Sequence, residues 1–205
     1  MLETLDIEAL RALGLNLSML SHVAGLEAGP ATRLWRVTEV QRDRLSLQSP
    51  TGACRARLLP ALQQQLFADG EQLAVGDWVL ADTQADQTWV QQRVPPLNML
   101  SRRDPEGHRQ ALVSNVDTAL LVMGLDHDFK LARLDRYLVL TRAAGVASVV
   151  VLSKADLCRD VEARLAEVED HLAHSRRSDG GVMVVLAVDG TQATTRARLA
   201  PWLGP

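Results

Sequence analysis

The hydrophobic period of this chain changes once, near residue 100, and that change limits the folds open to it. From Arg33 onward apolar residues recur with period two in five short segments rich in Val, Leu and Trp: 33–41, 44–48, 53–59, 76–82 and 88–94. The breaks between them carry turn chemistry, in Ser49-Pro50-Thr51-Gly52, Ala68-Asp69-Gly70 and Pro95-Pro96. Five such strands predict a small closed β barrel, OB-like, because closure removes the edges that a flat sheet of this size exposes. Beyond Arg102-Arg103 strands alternate with helices. Residues 113–123 are expected to form one buried strand, and Leu131, Leu134, Leu138 and Thr141 to line a helix stopping at Gly145. The almost wholly apolar run 148–152 suits a strand covered on both faces. Val161, Leu165, Val168 and Leu172 stripe a second helix, with a strand at 182–187 and a helix at 191–203 following. This order predicts an α/β unit, a partial doubly wound parallel sheet. Before the barrel, Leu5, Leu10, Leu13, Leu17, Met19 and Leu20 give a short helix-like pattern ending at Gly25 and Gly29-Pro30. The expected organisation is an N-terminal arm over 1–32, a barrel over 33–100 and an α/β domain over 101–205.

With 205 residues and 47% apolar composition, the chain can bury cores for two modest domains. Its longest apolar runs fall far short of the roughly 18–20 residues that span a bilayer, so no membrane partner is expected. Met1-Leu2-Glu3-Thr4-Leu5-Asp6 carries acid where a secretory signal carries base, and only Cys54 and Cys158 are present. A cytoplasmic protein with reduced thiols and no metal set is expected. Of 22 basic residues only Lys130 and Lys154 are lysines, and neither follows a glycine. A phosphate-binding Gly-Lys-Ser/Thr run is therefore lacking in these residues. Charge separates the segments weakly: 33–109 carries ten arginines against nine acids, whereas 1–32 and 110–205 are net acidic.

Ligands of doubly wound sheets bind beyond the carboxyl ends of the strands. There, after 148–152, stand Ser153-Lys154-Ala155-Asp156, which resemble the guanine-reading Asn/Thr-Lys-x-Asp motif of GTPases. A carboxylate at Asp156 suits guanine, whose N1–H and 2-amino group donate side by side, while the Lys154 stem covers a base face and keeps its ammonium wet. The competing reading is a capping turn in which Ser153 or Asp156 starts the next helix. One β-α unit later the strand ends in Leu186-Ala187, which resembles the Ser-Ala strand end of GTPases, and that resemblance implies that the Ala187 backbone N–H meets the guanine O6.

The barrel, Val75-Gly76-Asp77-Trp78-Val79, the Arg-Arg stretch, Asn115-Val116-Asp117, Arg133-Leu134-Asp135-Arg136-Tyr137-Leu138 and the tetrad, in that order, resemble the circularly permuted ribosome-assembly GTPases, the small-ribosomal-subunit-dependent GTPase A family. The resemblance covers about residues 33–205. It implies a GTPase of late small-subunit maturation, with guanine held by Ser153, Lys154, Ala155, Asp156 and Ala187. It also implies GTP or GDP with Mg2+, and zinc in a C-terminal domain beyond this alignment. Two departures stand out: Ser153 replaces the usual Asn or Thr, and Leu186 the usual Ser. The resemblance breaks off at Trp202-Leu203-Gly204-Pro205, where the family's next strand and P-loop begin. These residues alone are therefore expected not to hydrolyse GTP, to grip guanine at millimolar strength, and to self-associate through an open sheet edge.

The barrel's arginines suggest its partner. Arg42 and Arg44 share one strand face, as do Arg55 and Arg57, with Arg36, Arg102, Arg103 and Arg109 nearby. Guanidinium forks fit phosphate oxygens, and OB-type barrels bind nucleic acid on such faces, so rRNA contact is expected there. The alternative function is a non-catalytic RNA-binding module with a degenerate base site. Trp78 and Trp89 are expected in the barrel core, Asn115 and Asp117 to satisfy backbone groups at a strand's rim, and Asp104-Pro105-Glu106-Gly107 to be a simple turn. His171-x-x-His174 with Glu167 and Asp170 has metal-compatible spacing, but is expected to be a solvated helix end.

Overall fold

The computed structural model describes residues 6–41, 44–175 and 183–203. It falls into two compact units, the first reaching Val116 and the second starting at Asp117. In the first, β1 (Arg33–Gln41), β2 (Arg44–Ser49), β3 (Gly52–Leu58), β4 (Trp78–Gln84) and β5 (Gln87–Arg93) close a barrel in the order β1-β2-β3-β5-β4. Most neighbours are antiparallel, β3 and β5 run parallel, and β4 returns to β1 with Leu80 opposite Leu34. Alternation sends Val37, Leu45, Leu47, Ala56, Val79, Ala81 and Val90 inward, all buried.

Two short helices precede the barrel. Asp6 caps α1 (Ile7–Arg11) by accepting from the Ala9 N–H at 3.0 Å, and Asn16 caps α2 (Leu17–Ala24) through the Met19 N–H at 2.9 Å. Their Leu10, Met19 and Val23 pack with Leu34, Trp78, Leu80 and Val94 in a cluster separate from the barrel interior. Trp78 is therefore fully buried, but outside the barrel core where its sequence placed it. Trp89 is half-buried and belongs to neither cluster. Period two says which residues share a face; which face is the interior depends on what covers the other. A third helix, α3 (Pro60–Ala68), was not legible in the sequence: only Leu62 and Leu66 mark its buried stripe, and both pack with the barrel interior. Pro60, pre-set for the first helical turn, starts it.

After the barrel, β6 (Met99–Arg103) and β7 (Arg109–Ser114) form an antiparallel hairpin, closed by a turn in which the Gly107 N–H donates to the Asp104 carbonyl. The single strand expected over 113–123 is thus two. β7 ends at Ser114, Asn115 adopts φ +54°, and β8 (Thr118–Gly124) begins the second unit. Apolar runs at 111–113 and 119–123 flank the break, and the polar residues between them mark where the backbone turns. Asn115 does satisfy backbone groups: it accepts from the Leu97 N–H at 2.9 Å and donates to the Gly76 carbonyl at 3.0 Å.

The second unit is a parallel sheet of β8, β9 (Ala147–Ser153) and β10 (Val184–Ala187), in the order β10-β9-β8. Helices α4 (Leu131–Ala143) and α5 (Val161–Ser175) bury Leu134, Leu138, Val168 and Leu172 against Leu121, Met123, Val150 and Leu152. On the other face, α6 (Ala193–Leu199) and the 3-10 turn Ala200–Trp202 bring Leu199 and Trp202 to Val149, Val151 and Val188. Helices on both faces explain why 148–152 reads as unbroken apolar sequence. Among the described residues no helix is long and apolar enough to cross a membrane.

Candidate guanine-binding rim and basic barrel face

The carboxyl ends of the three parallel strands are stitched together by backbone hydrogen bonds. The Leu125 N–H donates to the Ser153 carbonyl at 2.8 Å, the Val188 N–H to Leu152 at 2.8 Å, and the Ala155 N–H to Val188 at 3.2 Å. Lys154 sits at φ +59°, in the left-handed region, so the chain turns sharply off the end of β9. Ala155 then packs into the apolar cluster below, while Asp156, in the 3-10 turn Ala155–Leu157, stands exposed. The Asp156 carboxylate accepts no hydrogen bond from any described residue. The cap of α5 is instead Asp160, which accepts from the Ala163 N–H at 2.9 Å. Asp156 is thus no helix cap.

Lys154 is held from the side. Its Nζ lies 2.6 Å from Oδ2 of Asp126, just past β8. Lys154 holds the Asp126 carboxyl below the ordinary carboxylate value, and the Asp128 N–H helps; Asp126 in turn raises the Lys154 ammonium above its ordinary value. Both stay charged at neutral pH. Gly124 makes the approach possible, since a Cβ there would lie 2.6 Å from Asp126 Oδ1. The sequence reading missed Asp126; its one signal was a position past a strand's carboxyl end, shared by every loop on that side. Ser153 is half-buried, and Ala187 is buried, its carbonyl accepting from Arg198 Nη1 at 2.5 Å. Asp189 closes the third loop: the Thr191 hydroxyl and N–H and the Gln192 amide donate to it and hold its carboxyl below the ordinary value. Among the described residues the rim therefore presents the unbonded Asp156 carboxylate two positions after a lysine whose ammonium is fixed by Asp126.

The basic candidates divide. β2 and β3 are antiparallel neighbours with Ser46 opposite Arg55, and Arg44, Arg55 and Arg57 are all exposed. Arg42 lies outside the described residues. Arg36 turns inward: its guanidinium donates to the Leu13 carbonyl, reaches the Asn115 carbonyl at 3.5 Å, and lies 5.7 Å from the Trp78 ring centre. Arg102 and Arg103 are exposed on the β6–β7 hairpin, donating to Gln110 and to the Gly107 carbonyl, while Arg109 donates to Ser101. His171 faces Asp135 of α4 at 2.7 Å; the His174 side chain lies outside the described residues.

Residues 94–204 match the family model described as RsgA GTPase. The chain belongs to the RsgA GTPase family. Among curated relatives it is 37% identical over 160 residues to the small ribosomal subunit biogenesis GTPase RsgA of Xylella fastidiosa (strain 9a5c), covering 77% of this chain and 44% of that protein. The protein of the same name from Leptospira interrogans serogroup Icterohaemorrhagiae serovar Lai (strain 56601) is 33% identical over 144 residues, 68% of this chain and 38% of that one. The chain thus spans less than half the length of these RsgA proteins. In fold it is similar to YjeQ from Thermotoga maritima, with TM-score 0.59, 20% identity, and coverage of 84% of this chain and 57% of that one. It is also similar to YloQ, a circularly permuted GTPase, with TM-score 0.52, 18% identity, and coverage of 86% and 58%. The RsgA resemblance and the fold class drawn from the sequence are borne out.

Proposed function

We propose that this chain is the base-reading and RNA-contacting part of a GTPase that acts in biogenesis of the small ribosomal subunit. The names of its RsgA relatives support the ribosomal role. The observation that carries the nucleotide reading is the exposed, unbonded Asp156 carboxylate beside the fixed Lys154 at the sheet's rim. Guanine offers that carboxylate two adjacent donors, while adenine turns a ring acceptor toward it. Ser153 and the backbone at Ala187 complete the base site, and the exposed Arg44, Arg55 and Arg57, with Arg102 and Arg103, face rRNA.

Hydrolysis is a matter of phosphate positioning and charge. No Gly-Lys-Ser/Thr stands in these residues, and Asp126, a carboxylate at the rim that would suit Mg2+, is taken by Lys154. These residues alone bind the base and do not turn GTP over. A charge-assisted grip of about 1.5–3 kcal/mol, with stacking of similar size, leaves roughly millimolar affinity after ordering costs.

The test is a titration of the chain with GDP and ADP, followed by amide chemical shifts. GDP is expected to shift the amides of 153–156 and 187 at millimolar concentration, with ADP at least about 10-fold weaker. Asp156→Asn is expected to erase that difference. Equal responses to both nucleotides would leave the non-catalytic RNA module as the better reading.

A further inference from the structure

Trp89 lies amid the arginines of the barrel's outer face, and no apolar cluster claims it. It stands opposite Asp82 on β4 and beside Arg57 on β3. Directly paired residues point to the same side of a sheet. Leu45 pairs with Ala56, which brings Arg44 alongside Arg57 in the same row, while Arg55 lies two pairs along on the same face, opposite Ser46. Four neighbouring strands thus contribute Asp82, Trp89, Arg57 and Arg44 across one face.

The charges on this face are unequal in reach. Asp82 is more than nine-tenths buried, with Oδ2 accepting from the Gln84 amide at 3.1 Å. Arg44, Arg55 and Arg57 are exposed, and their guanidiniums form no hydrogen bond or ion pair with a described residue. Among the described residues no cation stacks on the Trp89 ring, whereas Trp78 is both buried and capped by Arg36. A half-buried indole flanked by uncommitted guanidiniums has two complementary ligands in one molecule, a flat base and a phosphate chain.

We infer that Trp89 is a base-stacking platform for single-stranded RNA, with Arg44, Arg55 and Arg57 taking the adjacent phosphates. The inference rests on the reading of the barrel as an RNA-contacting module and names the form of RNA and the residue that reads it. Single strands are specified because a base in a duplex is already stacked on both faces and cannot lie on an indole.

The full chain is titrated by fluorescence anisotropy with end-labelled oligo(A) and oligo(U) of about 12 nucleotides and with the duplex of the two, from about 25 to 200 mM KCl. Single strands are expected to bind more tightly than the duplex. Trp89→Leu should weaken single-strand binding roughly 5- to 150-fold, by the same factor at every salt concentration. Arg57→Gln should instead flatten the slope of log K against log salt by about 0.7, the signature of one lost phosphate contact. Trp89→Phe, which keeps a stacking face, should recover most of the binding and guards against a Leu variant that misfolds. Unchanged binding by Trp89→Leu, preference for the duplex, or no binding at the lowest salt would each overturn the inference. Oligonucleotide binding that depends on Trp89, in a chain with no affinity for small ribosomal subunits, would sink the ribosomal role and leave the inference standing. The GDP and ADP titration reads the other unit independently.

Discussion

Asp77 is fully buried and holds three elements together. It accepts from the Ala74 N–H at 2.9 Å, from Arg93 Nη2 at 3.1 Å and from the Ser114 hydroxyl at 2.6 Å, so β4, β5 and β7 meet at one carboxylate. Removing one partner of a buried charged pair strands the other, and Asp77→Ala should cost about 3–5 kcal/mol in a urea titration. Its neighbour Gly76 sits at φ +93°, and a Cβ there would run into the Ser114 carbonyl oxygen. Gly76→Ala is expected to cost about 3 kcal/mol. Gly107 has φ +89° with open space around it, so Gly107→Ala should cost only the backbone strain, about 1–2 kcal/mol. The Gly76-Asp77-Trp78-Val79 run is thus a packing device: a turn, a buried anchor, a wedge under the N-terminal helices and a barrel-core valine. At the rim, Asp126 has a folded pKa below its unfolded one, near 3.9. The stability this gives is complete above that unfolded value and is lost as pH falls through the folded one. Asp126→Asn should therefore flatten the decline of the urea midpoint on acidification below about pH 4.

At the scale of elements, the β4–β5 hairpin turns through Ala85 at φ +46° and Asp86 at φ +64°. Two consecutive left-handed residues make a two-residue hairpin turn of the type that favours Asn-Gly, and alanine is a poor choice for the first position. Ala85→Asn with Asp86→Gly should raise stability by about 1 kcal/mol, read as a higher Tm. The same hairpin shows what period two delivers. The strands expected at 76–82 and 88–94 lie within two residues of those observed, because alternation is a local consequence of the pleat. The hairpin of β6 and β7 went unseen for the opposite reason. Its residues carry Arg102, Arg103 and Arg109 outward, with little apolar alternation, and it is fixed by pairing and by the reversal at Asn115.

At the scale of the whole molecule, the chain has two compact units with separate apolar clusters. Calorimetry should resolve two unfolding transitions, and Asp77→Ala should lower one while leaving the other within about 0.5 kcal/mol. Local pattern was enough to name the barrel, the parallel sheet and the tetrad after β9, since each depends on residues a few positions apart: a period, a turn, a motif past a strand's end. What only the tertiary structure decided depends on residues far apart. The parallel pairing of β3 with β5 sets Trp89 among arginines from two other strands, and the N-terminal helices turn Trp78 from a barrel residue into part of a second cluster. Asp126, 28 positions before Lys154, becomes its partner because two parallel strands end side by side. A sequence fixes which way a side chain points along its own strand; which neighbour it meets there is decided only when the sheet closes.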